Sequence, residues 1–355
     1  MQTINRKQTR QIKLGQILIG GGAPVSIQSM LSVPTRDVQA ALSQILELEE
    51  AGCQIVRFAV TGEEDLRAIK TLKQSARVSL VADIHFDYKL ALGAIEAGVD
   101  GLRINPGNIG SREKVEAVVK AASQREIPIR IGVNGGSLPK HLLQKYGVSP
   151  QAMVEAALEH VQILESLNFE AIKISVKASS LPLTLESYRA LSDRVSYPLH
   201  LGITEAGTLL SGSVKSAMAL GILLAEGIGD TIRVSLTADP VREVHVARQI
   251  LQNLELRKGL NIVSCPTCGR TRVNLFRLAE EVEKALQSHA ELPLTIAVMG
   301  CAVNGPGEAR EADFGIAGGE GEGLIFARGE IIKKVPEDQL VHELLKLIEE
   351  YAQSL

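Results

Sequence analysis

The sequence predicts an α/β protein in which a closed barrel of parallel strands precedes a small α+β domain. Three observations support this prediction. Short β-rich runs alternate with amphipathic helical stretches over residues 1–260, the alternation then stops, and three of the 4 cysteines lie beyond that point. Eight strands alternating with helices are typical of a (β/α)8 TIM barrel, whereas an open doubly wound sheet usually has fewer strands. We therefore predict a barrel domain over residues 1–260 and a second domain over residues 261–355.

The barrel elements follow from hydrophobic periodicity, which separates strands from amphipathic helices. The first predicted strand ends with Gln28, Ser29 and Met30. The glycine-rich turn that follows the first strand of a dinucleotide-binding sheet is absent from this position. A short hairpin at residues 12–19 is expected to close the bottom of the barrel. The predicted strands are 25–30, 54–60, 79–84, 101–105, 127–134, 171–177, 199–205 and 231–236, and the predicted helices include 38–50, 91–97, 114–122, 153–167, 185–193, 214–226 and 241–256.

The second domain has a different pattern. Residues 262–265 leave the barrel, and a helix at 273–286, a strand at 294–299, a cysteine loop, a hairpin and a final helix at 337–351 follow. The glycine-rich stretch 318–323 carries two glutamates and lacks the Lys-Ser/Thr and helix of a phosphate loop. We interpret it as the turn of the hairpin between residues 313–317 and 324–328.

Composition excludes several classes of function. With a net charge of −3, 3% aromatic residues and no Trp, the chain has little to bind nucleic acid with. The N-terminal residues lack the apolar segment of a signal peptide, and the longest apolar stretch, 217–225, is too short to span a bilayer. We expect a cytoplasmic protein without a membrane partner, in which disulfides are rare and clustered cysteines bind metal.

Three cysteines are spaced as metal ligands. Cys265 and Cys268 form a Cys-x-x-Cys turn, and Cys301 lies in a loop rich in Gly and Pro, whereas Cys53 is far upstream. Thiolates select zinc, copper(I) or iron–sulfur clusters. The fourth position is open to a carboxylate, solvent or substrate, and Glu308 is the candidate because it lies in the same loop as Cys301. A structural zinc site, or three buried cysteines without metal, are the alternatives.

Cationic residues cluster at the predicted carboxyl ends of the barrel strands, where barrel enzymes place their chemistry. Such cations would repel one another unless a polyanion lay between them, and arginine suits phosphate because its planar fork offers paired donors. The substrate is therefore predicted to be a small phosphorylated or diphosphorylated molecule. The cations are Arg57, Arg103, Arg130, Lys177 and Arg233.

Other polar residues share these strand ends. Asp83 is expected to orient an arginine or a ligand hydroxyl, and His85 either bonds the ligand or is a neutral core histidine. Glu205 is a candidate proton donor, with pairing to an arginine as its rival role. The remaining polar residues on these strands are Asn105, Asn134, Lys173, Ser175, His200, Thr204 and Ser235.

Four motifs together resemble the 4-hydroxy-3-methylbut-2-enyl diphosphate synthase family of the non-mevalonate isoprenoid pathway. The resemblance covers essentially the whole chain, which lacks the extra middle domain of the plant-type relatives and so is similar to the compact bacterial form. The motifs are Asp83-Ile-His-Phe, Arg103-Ile-Asn-Pro-Gly-Asn, Cys265-Pro-Thr-Cys268-Gly-Arg and Gly300-Cys-Ala-Val-Asn-Gly-Pro-Gly-Glu308.

The resemblance implies an activity and a site. Members of the family reductively open 2-C-methyl-D-erythritol 2,4-cyclodiphosphate with a 4Fe–4S cluster held by three Cys and one Glu. The implied cluster ligands are Cys265, Cys268, Cys301 and Glu308. The resemblance also implies a homodimer, and the electron donor is expected to be flavodoxin or ferredoxin. The implied substrate-binding residues are Arg57, Asp83, His85, Arg103, Asn105, Arg130, Asn134, Lys177, Arg233 and Ser235.

Two readings from other functional classes remain open on the residues alone. A phosphosugar- or pterin-handling barrel with a structural zinc tail would share the cationic strand ends and need no iron. A non-enzymatic iron–sulfur redox sensor would share the cluster and need no anion site. The colour of protein purified without oxygen separates zinc from iron, and turnover of the cyclic diphosphate separates an enzyme from a sensor.

Overall fold

The protein divides into two compact units, one ending at Leu256 and the other starting at Arg257. A computed structural model describes residues 4–301 and 309–353. Within these ranges, no helix combines the length and apolar character needed to cross a bilayer.

The first unit is an eight-stranded parallel barrel, which confirms the predicted fold class. After a hairpin of β1 (Ile12–Leu14) and β2 (Ile17–Ile19), the barrel strands are β3 (Ser26–Met30), β4 (Ile55–Ala59), β5 (Ser79–Asp83), β6 (Gly101–Ile104), β7 (Ile129–Asn134), β8 (Ile172–Lys177), β9 (His200–Leu201) and β10 (Thr231–Ile232). Neighbouring strands follow one another in the order β8-β7-β6-β5-β4-β3-β10-β9. A parallel bridge between Ile174 and Leu199 joins the two ends of this order.

Helices connect these strands and begin at polar caps. Asp37 accepts a hydrogen bond from the backbone nitrogen of Ala40 at 3.1 Å, and Ser149 caps a helix that starts with Pro150. The helices are α1 (Val38–Glu50), α2 (Glu63–Ser75), α3 (Tyr88–Ala97), α4 (Pro106–Ile109), α5 (Arg112–Gln124), α6 (Lys140–Tyr146), α7 (Pro150–Glu165), α8 (Leu181–Ser192), α9 (Leu209–Ala225) and α10 (Pro240–Asn253).

Alternation along the strands separates an apolar outer face from a polar inner face. In β8, Ile172, Ile174 and Val176 belong to the main core that the strands form with the surrounding helices. Lys173 and Lys177 alternate with them and are also buried. Because successive side chains of a strand point to opposite faces, these lysines lie on the barrel interior. The interior is thus where the polar residues of the sequence converge.

The hairpin of β1 and β2 packs against the amino-terminal ends of the strands, as the sequence predicted. Leu14 forms a small buried cluster with Ile12, Ile19, Ile55 and Val81. The hydroxyl of Ser79, the first residue of β5, donates a hydrogen bond of 2.9 Å to the carbonyl oxygen of Leu14. The hairpin therefore closes the end of the barrel opposite the carboxyl ends of the strands.

The two last barrel strands are shorter than predicted. The predictions of strands to Glu205 and to residue 236 were wrong, because β9 ends at Leu201 and β10 at Ile232. Glu205 has a φ of 53°, which no strand accommodates. After β10, the backbone nitrogen of Leu236 donates to the Glu243 carboxylate at 3.0 Å and not to a neighbouring strand.

The second unit is built on a mixed five-stranded sheet. Its elements are β11 (Asn261–Ser264), α11 (Leu275–Ala285), β12 (Thr295–Met299), β13 (Phe314–Gly318), β14 (Glu322–Ala327), β15 (Glu330–Pro336) and α12 (Leu340–Gln353). The strands pair in sequence order: β11, β12 and β13 are parallel, and β13, β14 and β15 pair antiparallel. The predicted hairpin is present as β13 and β14, whereas β15 was not predicted, since it exposes nearly all its side chains and has no apolar alternation.

Candidate active site

Asp83 lies at the centre of the cationic side chains inside the barrel. Arg103 Nη1 donates to Asp83 Oδ1 at 3.0 Å, and Arg57 Nε lies 3.5 Å from Asp83 Oδ2. His85 Nε2 lies 3.7 Å from Asp83 Oδ1 and 3.3 Å from Arg103 Nη1. Burial alone would raise the pKa of Asp83, but the contact with His85 and the charges of Arg57 and Arg103 hold that pKa well below its usual range. Asp83 is thus held ionised and pairs with Arg57 and Arg103.

Met30, at the end of β3, is a shared acceptor for two arginines. Arg57 donates to the thioether sulfur through Nε at 3.2 Å and through Nη2 at 2.8 Å, and Arg233 Nη1 lies 3.7 Å from the same sulfur. Burial and the charges of Arg233 and Arg103 lower the pKa of Arg57 to about 9, against the opposite effect of Asp83. A thioether is a weak acceptor. Both guanidinium groups therefore keep donors that a stronger acceptor could take.

Glu243 is a site residue that the sequence analysis missed. This buried residue on the first turn of α10 lies 3.4 Å from Arg233 Nε. It also accepts hydrogen bonds from the Ser29 hydroxyl and the Leu236 backbone nitrogen, both at 3.0 Å. No local motif marks such a glutamate, because its partners are brought to it by the folding of β3 and β10. Its position fixes the direction of the Arg233 side chain.

Arg130 and Lys177 lack a carboxylate partner within the described ranges. Both are buried, and Arg130 Nε and Nη1 have no hydrogen-bond partner there. Burial, together with the surrounding cations, lowers the pKa of each well below its ordinary value. Buried cations without a counterion are costly, and proteins usually satisfy them. This pair is therefore the part of the barrel interior that most requires an anion.

Two glycines make room for the cations. A Cβ atom on Gly132 would lie 3.0 Å from Arg103 Nε, and one on Gly202 would lie 2.6 Å from Lys177 Nζ. Gly132 lies at an inward-facing position of β7, and Gly202 is the residue directly after β9. A side chain at either position would displace a cation. The close packing of charged side chains thus depends on glycine at both positions.

Lys173 and His200 form a deeper polar layer. Lys173 Nζ and His200 Nε2 are buried without a hydrogen-bond partner in the part of the chain that the structure describes, while His200 Nδ1 lies 2.6 Å from the Thr231 hydroxyl. Burial and the charge of Arg130 lower the pKa of Lys173 to about 7. Burial and the charge of Lys177 lower the pKa of His200 well below its usual value, so the imidazole is neutral. The sequence placed both residues on inward faces without assigning them a role.

The other predicted residues lie around the carboxyl ends of the strands. Asn105 caps α4 by accepting from the Gly107 nitrogen at 3.1 Å. Asn134 ends β7, in register with Lys177, and Ser235 follows β10. The His85 side chain is 56% exposed, which fits a ligand contact better than a core histidine. Glu205 is exposed in the loop after β9, where its positive φ is an uncommon conformation for a residue with a side chain.

The cysteines lie at one edge of the sheet in the second unit. Cys265 follows β11 and Cys301 follows β12 by two residues, and these strands are parallel neighbours with Ser264 paired to Val298. The Gly300 nitrogen donates to Cys265 Sγ at 3.2 Å, and the Arg272 nitrogen donates to the Gly300 oxygen at 2.9 Å. These two hydrogen bonds, one to the Cys265 sulfur and one between backbone groups, connect the segment of the Cys-x-x-Cys turn to Gly300, which precedes Cys301.

The thiols differ in their surroundings. Cys301 is buried, whereas Cys268 is exposed. Hydrogen bonds from the backbone and side chain of Arg270, and one from Thr271, lower the pKa of the Cys268 thiol. Glu308 lies outside the described residues. Among residues 4–301 and 309–353, no three His, Cys, Asp or Glu side chains are close enough together to hold a metal ion.

Comparisons with known proteins identify the family. A family profile described as the GcpE TIM-barrel domain matches residues 9–248, and a second, the GcpE protein C-terminal domain, matches residues 261–350. The chain belongs to the GcpE family. One relative, from Clostridium perfringens, is 60% identical over 348 residues, which cover 98% of this chain and 99% of the relative. Another, from Geobacter sulfurreducens, is 59% identical over 351 residues, 97% of this chain and 99% of the relative.

Both GcpE relatives are named 4-hydroxy-3-methylbut-2-en-1-yl diphosphate synthase (flavodoxin). The resemblance inferred from the sequence motifs is thereby confirmed, and the chain is an oxidoreductase of this family. The two alternatives, a zinc-tailed phosphosugar- or pterin-handling barrel and a non-enzymatic redox sensor, are not favoured by these names.

Solved structures of low sequence identity resemble this GcpE member in its barrel fold, and the similarity concerns the fold only. The dihydropteroate synthase of Yersinia pestis has a TM-score of 0.51 at 14% identity, and covers 69% of this chain and 97% of that chain. The 3-dehydroquinate dehydratase of Geobacillus kaustophilus has a TM-score of 0.52 at 13% identity, and covers 69% of this chain and 96% of that chain.

Proposed function

We propose that this protein opens the ring of 2-C-methyl-D-erythritol 2,4-cyclodiphosphate reductively and forms 4-hydroxy-3-methylbut-2-enyl diphosphate. The cyclic diphosphate dianion takes up two electrons and one proton and yields the open diphosphate trianion and one water molecule. The observation that carries the proposal is the set of five cations inside the barrel. Arg103, Arg130 and Lys177 are buried, Arg57 and Arg233 are half-buried, and Arg130 and Lys177 have no carboxylate partner among the described residues. A diphosphate supplies the negative charge that this interior lacks.

The arginines bind and orient the diphosphate in this proposal. Arg57 and Arg233 exchange the weak thioether acceptor Met30 for phosphate oxygens. Asp83 holds the Arg57 guanidinium group in position, and Glu243 holds that of Arg233. As the ring opens, negative charge develops on the diphosphate leaving group, and fixed cations stabilise it without reorganisation. Asn105, Asn134 and Ser235, which lie at the strand ends, contribute neutral hydrogen bonds, and His85 donates from the exposed edge.

The second unit fits a 4Fe–4S cluster by the chemistry of its donors. Cys265, Cys268 and Cys301 are soft ligands, and two of them follow neighbouring parallel strands. Hydrogen bonds that lower the pKa of the Cys268 thiol favour its thiolate. Glu308 is the proposed fourth ligand. When bound, such a cluster would supply electrons one at a time, and Glu308 would give one iron a carboxylate ligand more readily exchanged than a thiolate. Glu205 is the proposed proton donor for the water that leaves.

Flavodoxin is the proposed electron donor, as in the names of the relatives. A homodimer also belongs to the proposal, on the strength of the family resemblance, and sedimentation of the anaerobic protein tests it. The cytoplasmic location predicted from the sequence stays a prediction.

Anaerobic iron and sulfide analysis coupled to a product assay tests the function. We expect iron and sulfide in equal amounts and conversion of the cyclic diphosphate when a reductant is present. A protein that carries the cluster and leaves the cyclic diphosphate unchanged would contradict the proposed reaction.

Glu308 separates the reaction from the mere presence of a cluster. Glu308→Cys should give a robust four-thiolate cluster with little turnover, because the substrate cannot displace the thiolate. Glu308→Gln should give a fragile cluster with turnover largely lost. Normal turnover by Glu308→Cys would rule out substrate binding at that iron.

A further inference from the structure

The segment around the Cys-x-x-Cys turn has an unusual charge distribution. Between Glu255 and Glu280 the chain carries five basic residues and no acidic one, in a protein whose net charge is −3. Three of the five, Arg270, Arg272 and Arg277, follow Cys268 directly, and all three are exposed. A basic surface therefore adjoins the one thiol of the cysteine set that is exposed.

Backbone contacts hold this surface in place. The Thr271 nitrogen donates to the Cys268 oxygen at 3.0 Å, and the Arg272 nitrogen donates to the Gly300 oxygen at 2.9 Å. Asn274 caps α11 by accepting from the Arg277 nitrogen at 3.2 Å. The side chains thus project from a fixed turn and the first turn of a helix, and not from a free loop.

The existing ion pairs of the arginines are weak. Arg272 Nη1 lies 3.4 Å from Glu320 Oε1, and Arg277 Nε lies 3.4 Å from Glu281 Oε1, and all four side chains are at least half exposed. Exposed pairs of this kind contribute little and open readily. Phe276, which is 71% exposed, lies between Arg272 and Arg277 in the sequence. An exposed aromatic residue beside exchangeable arginines is typical of a protein-binding surface.

We infer that Arg272, Phe276 and Arg277 form the docking surface for the electron donor, and that the donor is an acidic flavoprotein. This inference rests on the proposed function, because it gives the cluster an external source of electrons. Electron transfer falls steeply with distance, so a protein donor must bind close to the thiols, and opposite charge both steers the encounter and orients it. In each encounter the reduced flavin loses one electron and the cluster gains one.

The test compares two double variants of the cluster-loaded full chain. Arg272→Gln/Arg277→Gln removes two positive charges from the proposed surface. Arg328→Gln/Lys346→Gln removes two exposed charges elsewhere in the same unit and is the matched control. Arg270 is left unchanged, because it bonds the Cys268 thiol. The cluster is reduced by reduced flavodoxin or by dithionite in stopped-flow absorbance, without substrate, so the result does not depend on turnover.

We expect the rate constant for reduction by flavodoxin to fall roughly tenfold at low ionic strength in Arg272→Gln/Arg277→Gln, and to lose most of its salt dependence. Reduction by dithionite, and both rates in the control, should stay within about twofold of wild type. Phe276→Ala should slow the flavodoxin reaction and leave its salt dependence unchanged.

Three results would overturn the inference: an unchanged flavodoxin rate, an equal loss with dithionite, or an equal loss in the control variant. An equal loss with dithionite would assign the arginines to the cluster itself. Failure of the proposed function would look different, since a wild-type cluster would then accept electrons from flavodoxin and form no product.

Discussion

Inside the barrel, neighbouring carboxylates compensate the charges of three arginines, Arg57, Arg103 and Arg233. Asp83 compensates Arg57 and Arg103, and Glu243 compensates Arg233. The Glu243 carboxylate also accepts from Ser29 and Leu236. The Glu243 carboxylate contributes to stability because, without it, the charge of Arg233 would be left unpaired inside the barrel.

Glu243→Gln should lower the free energy of unfolding of the barrel by about 1–3 kcal/mol, because Arg233 keeps its charge and loses its buried counterion. Urea unfolding followed by circular dichroism measures it. Glu226→Gln is the matched control: this glutamate pairs with Arg189 at the surface, and its loss should cost under about 1 kcal/mol. Equal effects of the two substitutions would contradict the role given to Glu243.

Lys173 should make the stability of the ligand-free barrel depend on pH. Its pKa in the folded protein is about 7, lowered by burial and by Arg130 and Arg57 and partly restored by Asp230, and an unfolded lysine titrates near 10.4. Between these values the unfolded chain binds a proton that the folded chain does not, so stability rises with pH across this window. The slope from one such group is at most about 1.4 kcal/mol per pH unit.

Lys173→Met tests this linkage through the difference in free energy of unfolding between the variant and wild type. Taking that difference cancels the pH-dependent contributions that Lys177 and His200 make to both proteins. The variant should gain most over wild type near pH 6 and lose that advantage as the pH rises toward 9, when denaturant unfolding is measured at each pH. Lys346→Met, at an exposed position, should show a constant difference. A constant difference for Lys173→Met would mean that this lysine stays charged in the folded protein.

Among the elements, the amino-terminal hairpin has a defined structural role. It has no part in the polar site, but its apolar side chains cover the end of the barrel where the strands begin. Leu14 is buried in that cluster, and a Cβ on Gly101 would lie 2.9 Å from its Cδ1. Leu18, in the same hairpin, is 49% exposed.

Leu14→Ala should lower the free energy of unfolding by about 2–4 kcal/mol, because it leaves a cavity against Ile55 and Val81. Leu18→Ala should change it by about 0.5 kcal/mol or less. Guanidinium chloride unfolding of both variants gives the comparison. A cost for Leu14→Ala as small as that for Leu18→Ala would show that the hairpin does not seal the barrel.

At the scale of the whole molecule, the barrel and the second unit each have their own buried core. The core of the second unit is made by β12, β13 and β14 with α11 and α12, and contains Val282, Ile316 and Leu344. The barrel core lies between its strands and helices and includes Cys53. The cysteines proposed to bind iron all belong to the second unit, so replacing them should leave the packing of the barrel core unchanged.

Cys301→Ser should therefore abolish iron binding and activity while the barrel unfolds at the same denaturant concentration as in wild type. Iron analysis and circular dichroism measure the two effects. Cys53→Ala is the control, since burial raises the pKa of that thiol to about 12 and makes it a poor metal ligand. Loss of iron in Cys53→Ala would mean that the wrong cysteines were assigned.

The sequence by itself determined the features that depend on local pattern. Alternation with a period of about 2 or 3.6 located the barrel strands and helices, including 38–50, which α1 reproduces. The glycine-rich turn gave the β13–β14 hairpin, and motif spacing gave the cysteine set and the family. The inward positions of Arg103 and Arg130 also followed from alternation, because side chains two apart share one face of a strand.

The tertiary structure decided what depends on residues distant in sequence. Glu243 contacts Ser29 across 214 positions and Met30 lies 203 positions from Arg233, so no local signal could reveal either contact. The need for glycine at Gly132 and Gly202 arises from the close approach of Arg103 and Lys177, which the closed barrel brings beside them. Local periodicity assigns a side chain to a face, whereas its partners, burial and pKa depend on which other strands and helices the fold places beside it.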